Sequence, residues 1–313
     1  MEIRPDRGII FPSDPFDPHL ADEEFRHEAE LVANLGGKVV LIDHTELVND
    51  VFKAYKVAKP FEVREYESLV SDEDRAGFRN EAAVLLDGSA FYRGWMMPSD
   101  SYSTMEQGLD KRLIHLRTNT KNYGDALYFF GWYDMFEEFT PGSVWFPSDM
   151  TSEDYLGMVE NTIGEGPFFV KDLVKSRKHE WDTACYAQDL SSLPEVISNL
   201  IRLQGSDIAS DIVVRKFENF RKDQGEVRVW WVDGKPVMSS PHPDTPDSLP
   251  EVDPDFLEKV MDAVNGFLCP FVTTDLAQRE DGAWRIIEVS DGQVSGIPKG
   301  FDPTALHKAL LGL

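Results

Sequence analysis

The sequence predicts two fold classes in series: an α/β region with parallel strands, then an α+β region built on antiparallel hairpins. Three observations lead there. An apolar run, an amphipathic helical stretch and a second apolar run follow one another over residues 8–43, the order of a β-α-β unit. Beyond residue 150, aromatic and β-branched runs are joined by Asp-Gly dipeptides at 233–234 and 281–282, a short-range hairpin signal. Between the two regions, Thr140-Pro141-Gly142-Ser143 is the clearest punctuation in the chain.

Taken in order, Gly8-Ile9-Ile10-Phe11 reads as a buried strand, followed by a Pro/Asp loop over 12–18. Residues 22–35 read as a helix, with Phe25, Ala29, Val32 and Ala33 at helical spacing, stopped by Gly36-Gly37. Residues 38–43 return as a strand, and no G-x-G-x-x-G is present to mark a dinucleotide site. Residues 83–86 and 90–93, joined by Asp87-Gly88, read as a hairpin; 102–113 reads as a helix, and 118–146 as aromatic and irregular. Thr151 opens a helix with capping-box spacing to Asp154, and Gly164-Glu165-Gly166-Pro167 ends it. Residues 168–172 form a strand, 191–204 a helix with Pro194 in its first turn, and 211–217 a strand. A second hairpin joins 226–232 to 235–239, and the Pro-, Ser- and Asp-rich stretch 235–254 reads as a long surface loop. Asp253-Pro254 caps a helix, and 271–277 with 284–290 form the third hairpin.

Composition narrows the function. The 313 residues carry 31 Lys and Arg against 56 Asp and Glu, a formal charge of −25. Such a surface repels phosphate backbones and anionic lipid, so nucleic acid and membranes are not expected partners. A polyanionic ligand would need a local cationic pocket and a metal. Cys185 and Cys269 match no metal or redox spacing, and the first residues contain no apolar signal core, so a cytoplasmic protein is expected.

The third hairpin carries the sharpest geometric expectation. If Asp281-Gly282 is a two-residue turn, Asp275 falls directly opposite Glu288 on one face of the ladder. Like charges placed so closely destabilise a sheet unless a divalent cation compensates or both side chains point to solvent; a longer turn would instead slip the register. Asp291 and Gln293 follow in a Gly-rich tail that either adds an oxygen ligand or is a simple strand-ending turn.

Cations inside strands are the second signal. Lys171 ends Phe168-Phe169-Val170, and Arg215 ends Ile212-Val213-Val214. Arg228 shares a strand face with Glu226. A lysine or arginine in such a run is costly unless it meets water, a carboxylate or an anion. Together, beside a metal pair, they favour a nucleotide triphosphate. Lys175-Ser176-Arg177-Lys178 is a basic loop that would either close over phosphates or simply be solvated. Arg93, in Tyr92-Arg93-Gly94-Trp95, would either grip a substrate carboxylate or make a salt bridge between domains. None of the seven histidines has metal or triad spacing.

This order of elements resembles the ATP-grasp superfamily. Lys171 on a strand, a loop, Arg215-Lys216-Phe217-Glu218, Glu226-Val227-Arg228 in a hairpin, then Asp275 and Glu288 are the matching features. Residues 168–172, 213–220, 226–237 and 286–298 look most like the R-two-K clade. Phe11-Pro12-Ser13-Asp14 and Tyr92-Arg93-Gly94-Trp95 look similar to the domain that precedes the grasp. The resemblance implies a Rossmann-like pre-ATP-grasp domain over 1–140, a small ATP-grasp subdomain over 141–213, and a C-terminal subdomain with the metal site over 214–313.

The resemblance further implies that Lys171 contacts phosphate or adenine, with Lys175, Arg215 and Glu226 also around the nucleotide. Lys216, Phe217 and Glu218 would line adenine and ribose. Arg228 would face the phosphates, Arg93 would serve the substrate, and Asp275 and Glu288 would bind Mg²⁺. The third ligand falls to Ser290 or Asp291, because superfamily members often carry Asn at the position Ser290 occupies; Asp291 is preferred here. The expected activity is ATP- and Mg²⁺-dependent ligation of a carboxylate to an amine or thiol through an acyl phosphate, on a small molecule or peptide, in a protein that is often a homodimer. The alternatives are a non-catalytic nucleotide-binding protein and a glycoside hydrolase using the carboxylate pair.

Overall fold

The computed structural model describes residues 7–17, 19–44, 88–110, 114–204 and 211–313. The first sheet is parallel, in the order β2-β1-β3-β4, from β1 (Arg7–Pro12), β2 (Lys38–Ile42), β3 (Gly88–Tyr92) and β4 (Ile114–Leu116). Helix α1 (Arg26–Asn34) connects β1 to β2 and buries Ala29 and Val32 at helical spacing. The expected β-α-β unit is therefore present. Of the hairpin expected at 83–93, the second arm is β3, which among the described residues pairs in parallel with β1 on one side and β4 on the other. Residues 83–86 themselves lie outside the described residues. Helix α2 spans Ser99–Asp110.

The stretch expected to be irregular contains two helices, α3 (Thr120–Leu127) and α4 (Phe129–Phe136). Asn119 caps α3 by accepting a hydrogen bond from the Asn122 amide (2.8 Å). Aromatic residues have modest helix propensity, and packing overrides it here. Phe129, Trp132, Tyr133 and Phe136 of α4 all enter one hydrophobic core.

The second sheet is antiparallel in the order β5-β8-β6-β7, from β5 (Ser143–Pro147), β6 (Phe168–Asp172), β7 (Tyr186–Ala187) and β8 (Asp211–Lys216). Helices α5 (Ser152–Ile163) and α6 (Leu193–Gln204) cover one face, meeting Phe168, Val170, Ile212 and Val214. Thr151 caps α5 through the Asp154 amide (3.3 Å), as its spacing requires. The expected boundary at 213 cuts through β8; the strand stays hydrogen-bonded to β5 and β6 as far as Lys216, so the chain leaves this sheet after Lys216.

The third sheet is antiparallel in the order β10-β9-β11-β12, from β9 (Val227–Val232), β10 (Lys235–Pro241), β11 (Phe271–Gln278) and β12 (Trp284–Asp291). The strand expected over 235–239 is present and runs two residues further, to Pro241, into the stretch read as a loop. On one face, Val227, Val229, Trp231, Val272, Leu276 and Val289 pack with α4 and α7 (Pro254–Phe267). On the other, Trp230, Val232 and Phe271 pack on Ile9, Phe11 and Phe91 of the first sheet and on α8 (Thr304–Leu311). No helix among the described residues is long and apolar enough to cross a membrane.

Candidate functional site

The β11–β12 hairpin holds two departures from ideal geometry that cancel. Its loop has three residues, because the Arg279 amide donates to the Ala283 carbonyl (2.8 Å) and Gly282 takes φ +91°. Carried along the ladder, that register would set Asp275 opposite Ile287. A β-bulge between Asp275 and Leu276 on the pairing scale inserts Ile287 as an extra residue, and Asp275 lands opposite Glu288. The expected pair is present, reached by a different route.

Arg228 lies opposite Asp275 in the neighbouring strand, so the three side chains form one row across the sheet. Arg228 donates through Nε to Asp275 Oδ1 (2.7 Å) and through Nη2 to Oδ2 (2.8 Å), a bidentate charge-assisted pair. Both groups are buried. Burial pushes the Asp275 carboxyl up, but the Arg228 guanidinium outweighs it and holds the group below its ordinary value. Arg228 is shifted upward: burial disfavours its charge, and Asp275 more than compensates. Nη1 of Arg228 donates to the Gly296 carbonyl (2.9 Å).

Strand β6 supplies the facing wall. The two-residue alternation of a strand buries Phe168 and Val170 in the α5/α6 core and turns Phe169 and Lys171 to the opposite face. Lys171 Nζ reaches Glu288 Oε1 (3.3 Å) and the Val174 carbonyl (3.2 Å). Its side chain is 6% exposed, that of Glu288 33%. Glu226 stands beside this row. Burial raises its pKa, Lys178 and His242 oppose the rise, and Asp275 and Glu288 add to it.

The remaining expected residues fall as follows. Arg215 is buried, donating to the Ile287 carbonyl (2.7 Å) and to Thr140 Oγ1 (2.6 Å); burial depresses its pKa to about 10. It faces β12 with two donors committed. Lys216 bonds the Glu165 carbonyl and lies over the Phe168 ring. Glu218 is ion-paired to Arg285 (3.1 Å) and Arg279 (3.6 Å). Lys175 is exposed, with its backbone amide tied to Asp172. Phe217 joins Phe169, Trp181 and Tyr186 in an aromatic cluster with centroid separations of 5.2–6.1 Å.

Two expectations are overturned. Arg93 is 1% exposed and cannot grip a substrate. Its Nε and Nη2 donate to Glu28 (2.8 and 3.0 Å), and its Nη1 donates to the carbonyls of Gln293 (3.1 Å) and Ser295 (2.6 Å). It is the inter-unit salt bridge. Asp291 does not join Asp275 and Glu288. Along β12, Val289 and Asp291 share the α4/α7 face, whereas Glu288 and Ser290 point the other way. The Asp291 carboxylate is fully buried and accepts from the Gln293 amide (2.9 Å) and side chain (3.1 and 3.3 Å).

Burial raises the Asp291 pKa to about 7, from an ordinary 3.8. The sign follows directly: between those values the folded protein holds a proton that the unfolded chain has lost, so stability falls as pH rises through that window. The penalty at pH 8 is up to about 4 kcal/mol at 1.36 kcal/mol per pH unit. We expect Asp291→Asn to flatten the decline in Tm between pH 5 and 8. A decline as steep in the variant as in the wild type would contradict this account.

Sequence reasoning missed His242 and Asp244 near the site, and read Lys178 only as part of a basic loop. His242 Nε2 lies 3.5 Å from Asp275 Oδ2, and Lys178 Nζ lies 3.1 Å from Asp244 Oδ2. The Asp244 amide donates to His242 Nδ1 (3.1 Å), so the neutral ring carries its proton on Nε2, toward Asp275. No spacing in the chain signals these contacts. Phe169 was not singled out either, although its place two residues before Lys171 on the strand was a signal for it.

The donor set fits one kind of metal. Among the described residues no three His, Cys, Asp or Glu side chains converge on a metal position, so there is no all-protein cage. Mg²⁺ needs none, since it is held by one or two carboxylates with phosphate oxygens and water. Glu288, partly exposed and touched by a single ammonium, is the carboxylate open to such an ion. Asp275 is instead closed by Arg228.

Comparison with known proteins places this geometry. Residues 159–310 match a family model described as an ATP-grasp domain, family 3 of the R-two-K clade. No curated protein matches the chain by sequence. Solved structures share the fold over nearly the whole chain. The ATP-grasp ligase PsnB, complexed with minimal precursor, Mg and ADP, is 12% identical with a TM-score of 0.56, covering 99% of each chain. A RimK domain protein ATP-grasp from Sphaerobacter thermophilus is 13% identical with a TM-score of 0.58, covering 97% of this chain and 96% of that one. D-cycloserine synthetase DcsG is 12% identical with a TM-score of 0.57, covering 97% and 98%. Residues 159–310 thus resemble an ATP-grasp domain of the R-two-K clade, a Rossmann-like parallel unit precedes them, and the chain shares the fold of solved ATP-grasp ligases.

Proposed function

We propose that this protein is an ATP- and Mg²⁺-dependent ligase that activates a carboxylate and joins it to an amine. The observation that carries the reading is the Arg228–Asp275–Glu288 row of the third sheet, met by Lys171 from the second sheet across a 3.3 Å contact with Glu288. Two cations and an accessible carboxylate thus meet where two sheets face each other, in a chain of charge −25 that otherwise repels anions.

In this reading Lys171 and Arg228 bind phosphate oxygens, and Asp275 fixes the guanidinium in place. Glu288 holds Mg²⁺, with Asp275 beside it. Mg²⁺, when bound, neutralises charge on the transferring phosphoryl group. Phe169, Trp181, Tyr186 and Phe217 offer an apolar aromatic surface to the base. A substrate carboxylate oxygen attacks the γ-phosphorus, and ADP leaves. The amine nitrogen then attacks the acyl carbon, phosphate leaves, and the amine proton passes to solvent. Positioning and electrostatics dominate such chemistry, in keeping with a site built from fixed charges. The hydrolase alternative finds no support, because Asp275 is ion-paired on both oxygens.

The test is to incubate the full chain with Mg-ATP, a panel of carboxylates, and hydroxylamine as the amine. We expect hydroxamate and ADP in equal amounts with at least one carboxylate. No ADP with any of them would contradict the ligase reading. Tight nucleotide binding without phosphate release would replace it with a binding role.

A further inference from the structure

Ile286 and Glu288 are two residues apart in β12, and in a regular strand they would share a face. Here they do not: Ile286 is buried in the α4/α7 core, and Glu288 points across to Lys171. The extra residue at Ile287 makes the difference. Without the bulge, the Glu288 carboxylate would turn into an apolar core.

The bulge lies in an edge strand, since β12 ends its sheet. Its outward carbonyls therefore have no strand partner, and both are taken by side chains from elsewhere. Thr140 Oγ1 donates to the Ile286 carbonyl (2.9 Å), and Arg215 Nη1 donates to the Ile287 carbonyl (2.7 Å). Arg215 Nη2 donates to Thr140 Oγ1 (2.6 Å), which locks the two together. Thr140 is 3% exposed and Arg215 4%. Phe129 packs against the guanidinium, 5.9 Å from ring centroid to Cζ. Arg215 belongs to β8 of the second sheet, so a clasp from one sheet holds the irregular residue of the other.

We propose that Thr140 and Arg215 are positioning residues that fix the bulge and thereby aim Glu288 at the metal. This rests on the ligase reading of the site above. In this inference neither residue is a nucleotide or metal ligand, since both side chains are committed to the bulge and to each other. Their effect passes through the two bulge carbonyls, and it makes the placement of Glu288 depend on how the two sheets are docked.

The test uses Thr140→Val, which keeps the shape but removes the hydroxyl, and Thr140→Ser, which keeps the hydroxyl. The Tm of the full chain is measured with saturating ADP as Mg²⁺ is titrated. Loss of a group supporting a metal ligand costs roughly 10- to 100-fold in metal affinity. We expect Thr140→Val to raise the Mg²⁺ midpoint by at least about tenfold, with Thr140→Ser at the wild-type value. The rise produced by ADP alone should be the same in all three proteins. A destabilised but unaimed core would lower every Tm equally and leave the Mg²⁺ midpoint unchanged, and that result overturns the inference. Should Thr140→Val not fold, Arg215→Lys is expected to displace the midpoint in the same direction, and an unmoved midpoint there overturns it. A wild-type protein with no Mg²⁺-dependent gain would overturn the ligase reading, and this inference with it.

Discussion

Arg93→Ala is expected to lower the unfolding free energy by roughly 3–5 kcal/mol, the cost of leaving a buried charge without its partner. Glu28 is the charge left behind. Burial alone would raise its pKa, but the Arg93 guanidinium outweighs burial and, with His307, brings it to about 2. His307 Nε2 lies 2.9 Å from Glu28 Oε2 and compensates only in part. The cluster joins α1, the segment after β3, the tail after β12, and α8, so its loss unties the first sheet from the third. The depressed Glu28 also fixes a sign: its contribution is complete above the ordinary pKa of 4.5 and is lost as pH falls toward 2. A guanidinium titration at pH 7 reads the effect as a lower midpoint. If Arg93→Ala unfolded at the wild-type midpoint, and a carboxylate substrate bound far more weakly to it, Arg93 would be a substrate ligand after all.

Glu288→Gln is the second large expected effect, and it falls on function rather than stability. A neutral amide keeps the shape but offers no charge to a divalent cation. At a hundredfold excess over Kd, a ligand stabilises the fold by about 2.7 kcal/mol. The Mg²⁺-dependent part of that gain should vanish in Glu288→Gln, along with carboxylate-dependent ADP release. The unliganded variant should lose only a small part of its Tm: Glu288 is one-third exposed, and the amide oxygen of Gln can still accept from the buried Lys171 ammonium. Asp275→Asn is a poorer probe. It strands the buried Arg228, so lost nucleotide binding could not be separated from roughly 3–5 kcal/mol of lost stability. A Glu288→Gln protein that still binds and turns over Mg-ATP normally would remove the metal role from this residue.

The parts of the fold written in local periodicity were legible in the sequence. The β1-α1-β2 unit, the caps of α5 and α7, and the two C-terminal hairpins follow from turn dipeptides and apolar spacing. Residues 129–136 were missed although Phe129, Trp132, Tyr133 and Phe136 fall at the i, i+3, i+4, i+7 spacing of a buried helical face; the density of aromatic residues, modest helix formers, masked that period. In the candidate site, Lys171 and Arg228 stood out because a cation inside an apolar strand demands a partner. The Asp275–Glu288 pairing was reached from a turn one residue too short, and the bulge restored it. Alternation over three residues separates Asp291 from Glu288, and strict use of that period would have kept it out of the metal set. His242, Lys178 and Thr140 act through contacts made only when distant segments meet. Arg93 showed the limit most clearly: a buried arginine and a substrate-binding one look alike until its carboxylate is located.

Calorimetric titration of the full chain with a non-hydrolysable ATP analogue, once with Mg²⁺ and once with EDTA, bears most directly on the central claim. Binding that is saturable with Mg²⁺ and at least about tenfold weaker with EDTA is the predicted result, since second-sphere losses alone reach that size. Equal affinity in both buffers, or no heat in either, would contradict a site in which Glu288, Lys171 and Arg228 hold a metal-bound triphosphate.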